Sequence, residues 1–290
     1  MPVQSAPAAV RRGEPVEFPL RLAAVAHRAF PPGTARIDDP FSLRHFADLT
    51  AGYGVPHRPD LAEGGGNTFT TMATALLRDL APPGLPIDLA LVAHATPDLD
   101  CRLAAVTALS ELVPGHPLSF AVADCGSAAP FAALRLAGAY ARRHGHRAVA
   151  VFALDQHTLP YESGPRPAGD AGVALLFTDT GTEGRLTLSR LPGTTAEELP
   201  DALRSALARL GAGPDLPLVV GPGLDRARDL PGHTGPITQA PPGQPASGTL
   251  TALAADPGRA RSLVPRQALA VVDYDPAGRD LSVCLIERGS

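Results

Sequence analysis

The stretch SFAVADCGSAAPFAALRLAGAY, Ser119–Tyr140, reads as a short apolar strand that breaks at Ala123-Asp124 and gives way, just past one cysteine, to a long helix rich in Ala and Leu. Cys125 stands at the corner. Gly126 and Ala128 beside it are small enough for a ligand to approach the backbone closely. The free N–H groups and dipole of a helix N-terminus favour a thiolate and can hold a developing oxyanion, so this is a place for a nucleophile. A buried structural Cys is the competing reading, because free Cys is a common core residue.

Outward from this corner, helices and strands alternate. From Thr68 the order is helix (TTMATALLRDL), strand (IDLALVAH), helix (CRLAAVTALSEL), strand (LSFAVAD), helix (SAAPFAALRLAGAYARR) and strands (RAVAVFAL, AGVALLFTD). The strands are unbroken apolar runs, which predicts a sheet covered on both faces, and the alternating helices supply the cover. Upstream, RLAAVAHRAF (21–30) is a further buried strand, residues 31–66 are irregular with a short helix near Ser42 to Leu49, and Gly64, Gly65 and Gly66 form a flexible lead into the helix.

The same order recurs after GRLTLSRL: a helix from Ala196 to Leu210, the strand LPLVV, a shortened middle, the helix ASGTLTALAA and the strands QALAVVDY and LSVCLIE. RDLAPPGLPIDLALVAHA lies over ARLGAGPDLPLVVGPG, and HRAVAVFALD over RQALAVVDYD. This overlay places Cys125 opposite Gln244 and Pro245. A period of about 120 residues is too long for a solenoid, so two related, packed α/β halves are expected. The division is an N-terminal arm over 1–20, a first half over 21–183 carrying Cys125, and a shortened second half over 184–290.

Composition fits a globular chain. Of 290 residues 44% are hydrophobic and only 4% aromatic, with no Trp, so Ala, Val and Leu must fill the core. The 29 Gly and 32 Pro imply many ordered loops. All 25 Lys-plus-Arg positions are Arg, without clustering, and the net charge of −4 gives no support for nucleic-acid binding. No apolar run approaches the roughly 18 residues of a membrane span and the start lacks a signal-peptide core, so a cytoplasmic protein is expected. Three Cys without paired spacing argue against disulfides or a zinc site, and no metal or cofactor is expected. Cys101 and Cys284, with apolar neighbours on a helix and a strand, read as core. His144 and His146 flank Gly145 past a helix end and read as a cap.

The segment ADCGSAAPFAALRLA, the later Gly169-Asp170-Ala171-Gly172 and the preceding IDLALVAHATPD together resemble ketosynthases of the thiolase superfamily related to β-ketoacyl-acyl-carrier-protein synthase III. The resemblance implies a layered αβαβα sandwich of two pseudo-repeated halves. It also implies a dimer, with itself or with a second ketosynthase, and a Cys125 that accepts an acyl group from a coenzyme A or acyl-carrier-protein thioester. Family members that decarboxylate malonyl units use a His after the second-half strand and an Asn or His in the later loop. Those places here read Val220-Gly221-Pro222-Gly223 and Gly243-Gln244-Pro245-Ala246, and the C-terminal glycine-rich loop reads Asp273-Tyr274-Asp275-Pro276-Ala277-Gly278. Condensation therefore lacks its electrostatic partner.

His94, at the end of a strand, and His233, in the shortened connection, are the candidate bases for Cys125. Gly126, Gln244 and His157, the last with Asp155 two residues before it, are candidate substrate-binding residues. Two functions remain open. One is an acyltransferase or priming ketosynthase-like enzyme, which needs a nucleophile and an oxyanion site but no decarboxylation. The other is a non-catalytic partner subunit of the chain-length-factor kind, which accounts for the missing His and Asn. A plain hydrolase ranks third.

Overall fold

The computed structural model describes residues 12–82, 84–162, 166–254 and 268–287. In chain order these form β1 (Val16–Glu17), β2 (Arg21–Ala29), α1 (Pro40–Tyr53), α2 (Phe69–Leu80), β3 (Leu89–His94), α3 (Ala105–Leu112), β4 (Leu118–Val122), α4 (Ala129–His144), β5 (Ala148–Asp155) and β6 (Ala171–Thr178). There follow β7 (Arg185–Pro192), α5 (Leu199–Arg209), β8 (Leu218–Val220), α6 (Arg226–Asp229), β9 (Ile237–Gln239), α7 (Gly248–Ala254), β10 (Ala268–Asp275) and β11 (Asp280–Glu287).

The strands make two sheets, ordered β2-β6-β5-β3-β4 and β1-β7-β11-β10-β8-β9. Apart from β1 the second order repeats the first, with β7, β11, β10, β8 and β9 in the places of β2, β6, β5, β3 and β4. In both, the three strands that follow helices run parallel and the hairpin strand returns antiparallel. The helices repeat too: α2, α3 and α4 of the first half correspond to α5, α6 and α7 of the second.

Burial assigns the layers. One apolar cluster joins α4 and Leu250 of α7 to the inner faces of both sheets, through Leu89, Leu91, Val149 and Val151 on one side and Leu188, Val271 and Cys284 on the other. A second joins α2 and α3 to the outer face of the first sheet through Ala90, Val92 and Phe152. A third joins α5 to the outer face of the second through Val220, Val272 and Val283. Helix, sheet, helix, sheet, helix is a five-layered αβαβα sandwich, and strands sandwiched between helices need no polar alternation.

Several elements differ from the expectation. The arm is tied down from Arg12 onward: β1 pairs with β7, and Phe18 is buried against Phe177 with ring centroids 4.2 Å apart. Helix α1 is longer than Ser42 to Leu49, because Asp39 accepts from the backbone of Phe41 and Ser42 at its start and Gly54, at φ 65°, closes its end. The shortened middle holds the strand β9, too short to show a pattern. Gly66 forms a backbone bridge with Ala35, so the Gly64–Gly66 run is held at that point. Cys101 lies in an irregular turn ahead of α3, half-buried, with Sγ 3.6 Å from the Ser42 hydroxyl, whereas Cys284 is core, its thiol pushed up to about 12 by burial. Residues 1–11, Ala255 and Gln267, which the expected arm, helix and strand include, lie outside the described residues.

Candidate active site at the Cys125 corner

Strand β4 ends at Val122, and the chain turns sharply into a single 3-10 turn, Gly126–Ala128, that leads into α4. The turn is made by two residues in the left-handed region on either side of Cys125, Asp124 at φ 60° and Gly126 at φ 52°. A non-glycine residue there costs on the order of 1–3 kcal/mol, and such strain clusters at functional sites. Gly126 is required twice over, because a Cβ would also run into the Asp275 carboxylate. Cys125 itself is half-buried at the edge of the central cluster, and its carbonyl accepts from the N–H of Ala128 at 3.0 Å.

The corner docks onto a polar plate in the second half. Along β7, β10 and β11 the inward residues are apolar toward one end and polar toward the other: Leu186 and Leu188 give way to Arg190, Val271 to Asp273 and Asp275, Ile286 and Cys284 to Ser282 and Asp280. Register puts Arg190, Ser282 and Asp273 side by side across three strands, with Asp280 opposite Asp275. Gly126 lies against Asp275, while Cys125 acts on the charge of Arg190 and Ser127 on that of Asp273. Arg190 Nε donates to Asp280 Oδ2 at 2.8 Å.

Two charges on the plate are shifted by their surroundings. Complete burial pushes the Asp273 carboxyl up to about 7, against the Ser127 hydrogen bond that favours ionisation. Burial also works against the Arg190 guanidinium, but Asp280 and then Cys125 more than offset it and its pKa is raised.

A reciprocal contact ties the halves together. Asp155, at the end of β5, is buried and accepts from the N–H of Ala246 at 2.9 Å and from the N–H and hydroxyl of Ser247 at 2.7 Å each, at the start of α7. Burial raises its pKa and these donors oppose the shift. Asp155 in the first half thus reaches the second-half central helix, as Asp275 reaches the start of the first-half one.

The two histidines named as bases lie on outer layers, although His94 is near enough to feel the Asp124 charge of the corner. On β3 the alternation sends Leu89, Leu91 and Ala93 to the central layer and Ala90, Val92 and His94 to the outer one. The His94 ring accordingly packs on Phe69 of α2, centroids 5.1 Å apart, and lines a 210 Å³ outer cavity with Asp98 and Cys101. Its Nδ1 donates to the Thr96 carbonyl at 2.8 Å, and burial lowers its pKa. Cys125 packs on the central side of that sheet.

His233 is further removed, lining a 290 Å³ cavity with Leu207 and Leu230 on the outer helical layer of the second half. Burial lowers its pKa as well. For His94 the strand face decided the outcome, whereas His233 lies in the loop between α6 and β9.

His157 is held by Asp170, whose Oδ1 takes the His157 N–H at 3.0 Å and Nδ1 at 2.7 Å while Oδ2 takes the Asn67 N–H and Nδ2. Burial opposes the Asp170 charge, yet these donors hold the carboxyl below its usual range. His157 is therefore part of a structural knot joining the loops after β5 and before α2. Gln244 accepts through its backbone carbonyl from Gly248 N at 2.9 Å, and its Oε1 is enclosed without a hydrogen-bond partner among the described residues. Gly145 caps α4 in the left-handed conformation between the stacked rings of His144 and His146. Among the described residues no group of three or more His, Cys, Asp or Glu could hold a metal ion.

Sequence reading missed Arg190 and Asp280, and named Asp155 only as a neighbour of His157. The signal was available in part, since Asp155 and Asp280 are charged residues at the ends of largely apolar strands, whereas β7 around Arg190 is mixed.

No family profile matches the sequence, and no curated protein matches it either. Solved structures do. ChlB3, described as an acyltransferase, superposes with a TM-score of 0.60 at 18% identity over 93% of this chain and 97% of its own. The 3-oxoacyl-(acyl carrier protein) synthase III of Pseudomonas aeruginosa PAO1 gives 0.58 at 15% identity, over 93% and 98%. OleA of Xanthomonas campestris, as a point variant, gives 0.55 at 16%, over 93% and 99%. The chain has the thiolase-like fold of these structures along nearly its whole length.

Proposed function

We propose that the protein is an acyl-transferring enzyme in which the Cys125 thiol takes an acyl group from a coenzyme A or acyl-carrier-protein thioester and passes it to an acceptor without decarboxylative condensation. The observation that carries this reading is the strained corner: a half-buried thiol between two left-handed residues at the mouth of α4, close enough to Arg190 to raise its pKa. Thioester exchange at a thiol needs little more than a nucleophile and stabilisation of the tetrahedral oxyanion. Gly221 and Pro222, in place of the condensing His, supply no enolate stabiliser. The three structural neighbours, named as an acyltransferase, a synthase acting on carrier-protein thioesters and OleA, support the substrate class.

Among the described residues no helix is long and apolar enough to cross a membrane, and the reading places the protein in the cytoplasm with its thioester donors. A fatty-acid or polyketide-type product is consistent with it.

Incubation with a panel of acyl-coenzyme A and acyl-carrier-protein thioesters, followed by intact-mass measurement, tests the proposal. The expected result is an adduct of the acyl mass that is lost in Cys125→Ala. No adduct with any donor, together with co-purification of a second ketosynthase, favours the partner-subunit reading. That alternative has its own support, in that both candidate bases face outer layers.

A further inference from the structure

The acyl-transfer reading leaves Cys125 without the imidazole and amide that condensing relatives are expected to use, and the groups that do face it come from three elements. Arg190 lies on β7, Asp280 and Ser282 on β11, and Asp273 and Asp275 on β10, while Asp124 precedes the cysteine in its own turn and Arg135 on α4 is near enough to feel both Arg190 and Asp280. Cys125 is among the groups that raise the Arg190 pKa, and its turn sits on the same plate, with Gly126 against Asp275 and Asp275 opposite the Asp280 that holds Arg190. Its Nε and one terminal nitrogen are committed to Asp280, which fixes the plane of the guanidinium. A guanidinium has five N–H donors in a rigid fork, so donors remain for the sulfur and for an atom bound to it. Asp280 is itself buried, and its second oxygen, Oδ1, and the Ser282 hydroxyl are enclosed without partners among the described residues.

We propose that Arg190, oriented by Asp280, is the electrophilic catalytic residue of the Cys125 site: it pairs with the thiolate and then receives the oxyanion of the acyl carbon. This rests on the acyl-transfer reading for its second half only. In the step itself the Cys125 thiolate adds to the carbonyl carbon of the donor thioester and the carbonyl π pair moves onto oxygen, where a guanidinium N–H meets it. Collapse of the oxyanion then breaks the bond from carbon to the donor sulfur. The donor leaves as a thiolate and takes up the proton that Cys125 gave to solvent, so the exchange is one thioester for another. Asp280 is a positioning residue.

The test uses the full chain as wild type, Arg190→Gln, Arg190→Lys and the double variant Arg190→Gln/Asp280→Asn, the last so that no lone carboxylate is left buried if the single variant unfolds. Two readouts are taken at Cys125, resolved by peptide mapping with Cys101 as internal control. The first needs no acyl donor: the rate of alkylation by anionic iodoacetate relative to neutral iodoacetamide. A cation at the sulfur attracts the anion, and the ratio is expected to fall about fivefold in Arg190→Gln and in the double variant and to be kept in Arg190→Lys. The second is the rate of acylation by whichever thioester labels the wild type. It is expected to fall about a hundredfold in both variants lacking the cation, with partial recovery in Arg190→Lys, as for loss of one oxyanion donor.

An unchanged alkylation ratio in both Gln-containing variants overturns the pairing, and an unchanged acylation rate overturns the catalytic role. A wild type that takes no acyl group while showing the charge selectivity refutes acyl transfer, and with it the oxyanion role, and leaves the Arg190–Cys125 pairing established.

Discussion

Asp273 is the residue whose chemistry depends most on its surroundings. In the unfolded chain its carboxyl titrates near 3.8, and in the folded protein burial holds it at about 7. Between those values the native state keeps a proton that the unfolded state has lost, so its contribution makes stability fall as pH rises from about 4 to about 7 and level off above. Asp273→Asn keeps an acceptor for Ser127 and removes that titration. Thermal melts at pH 5 and pH 8 are expected to show a smaller loss in the variant than in the wild type. Equal losses would mean that Asp273 is ionised in the fold. Asp98, also pushed up to about 7 by burial, contributes in the same direction and remains in both proteins. At this scale the sequence showed Cys125 and Gly126 plainly, because a Cys-Gly pair between an apolar strand and a helix is local information. Arg190 was hidden, since its meaning lies in a neighbour 65 positions away.

At the scale of elements, strand periodicity placed the charged groups. Residues two apart on β7, β10 and β11 share a face, so one polar end on each strand yields a single plate beneath the start of α4. The same rule removed His94 from the site, one residue past Ala93 and therefore on the other face. Asp155 shows what such an end position contributes to folding: three hydrogen bonds to Ala246 and Ser247 in a buried setting. Asp155→Ala leaves those donors without a partner and is expected to cost about 2–4 kcal/mol, read as a drop of several degrees in melting temperature. Asp155→Asn, which keeps one acceptor oxygen, should fall between. A melting temperature for Asp155→Ala within a degree of wild type would show that water or relaxation replaces the bonds.

For the whole molecule, duplication explains the architecture and leaves β4 among the sheet edges. Strand β4 is the edge of the first sheet, and Leu118 upon it, Leu112 of α3 and Leu136 of α4 are exposed, at 50%, 55% and 41%. A bare apolar edge invites another strand, and a twofold pairing of β4 with β4 of a second copy would join two sheets across an isologous interface. We propose such a dimer, which the family resemblance of the sequence implies, and Leu118→Lys tests it: light scattering is expected to show a dimer for the wild type and a shift toward monomer for the variant. A wild type of monomer mass would refute it.

The α/β class, the doubled helix and strand order and the cysteine corner were all legible in the sequence, because each is written in residues close together: apolar runs, helix starts, small residues around a thiol. The overlay of HRAVAVFALD on RQALAVVDYD even set Asp155 over Asp275 before their matching roles were visible. What only the tertiary structure decided was which side chains meet the sulfur. A strand face is fixed by sheet and helix packing between the halves, so His94, chosen by type and position in the chain, turned to the outer layer, and the loop that carries His233 lies on the outer layer of the second half. Arg190 and Asp280, from strands at the far side of the duplication, turned in.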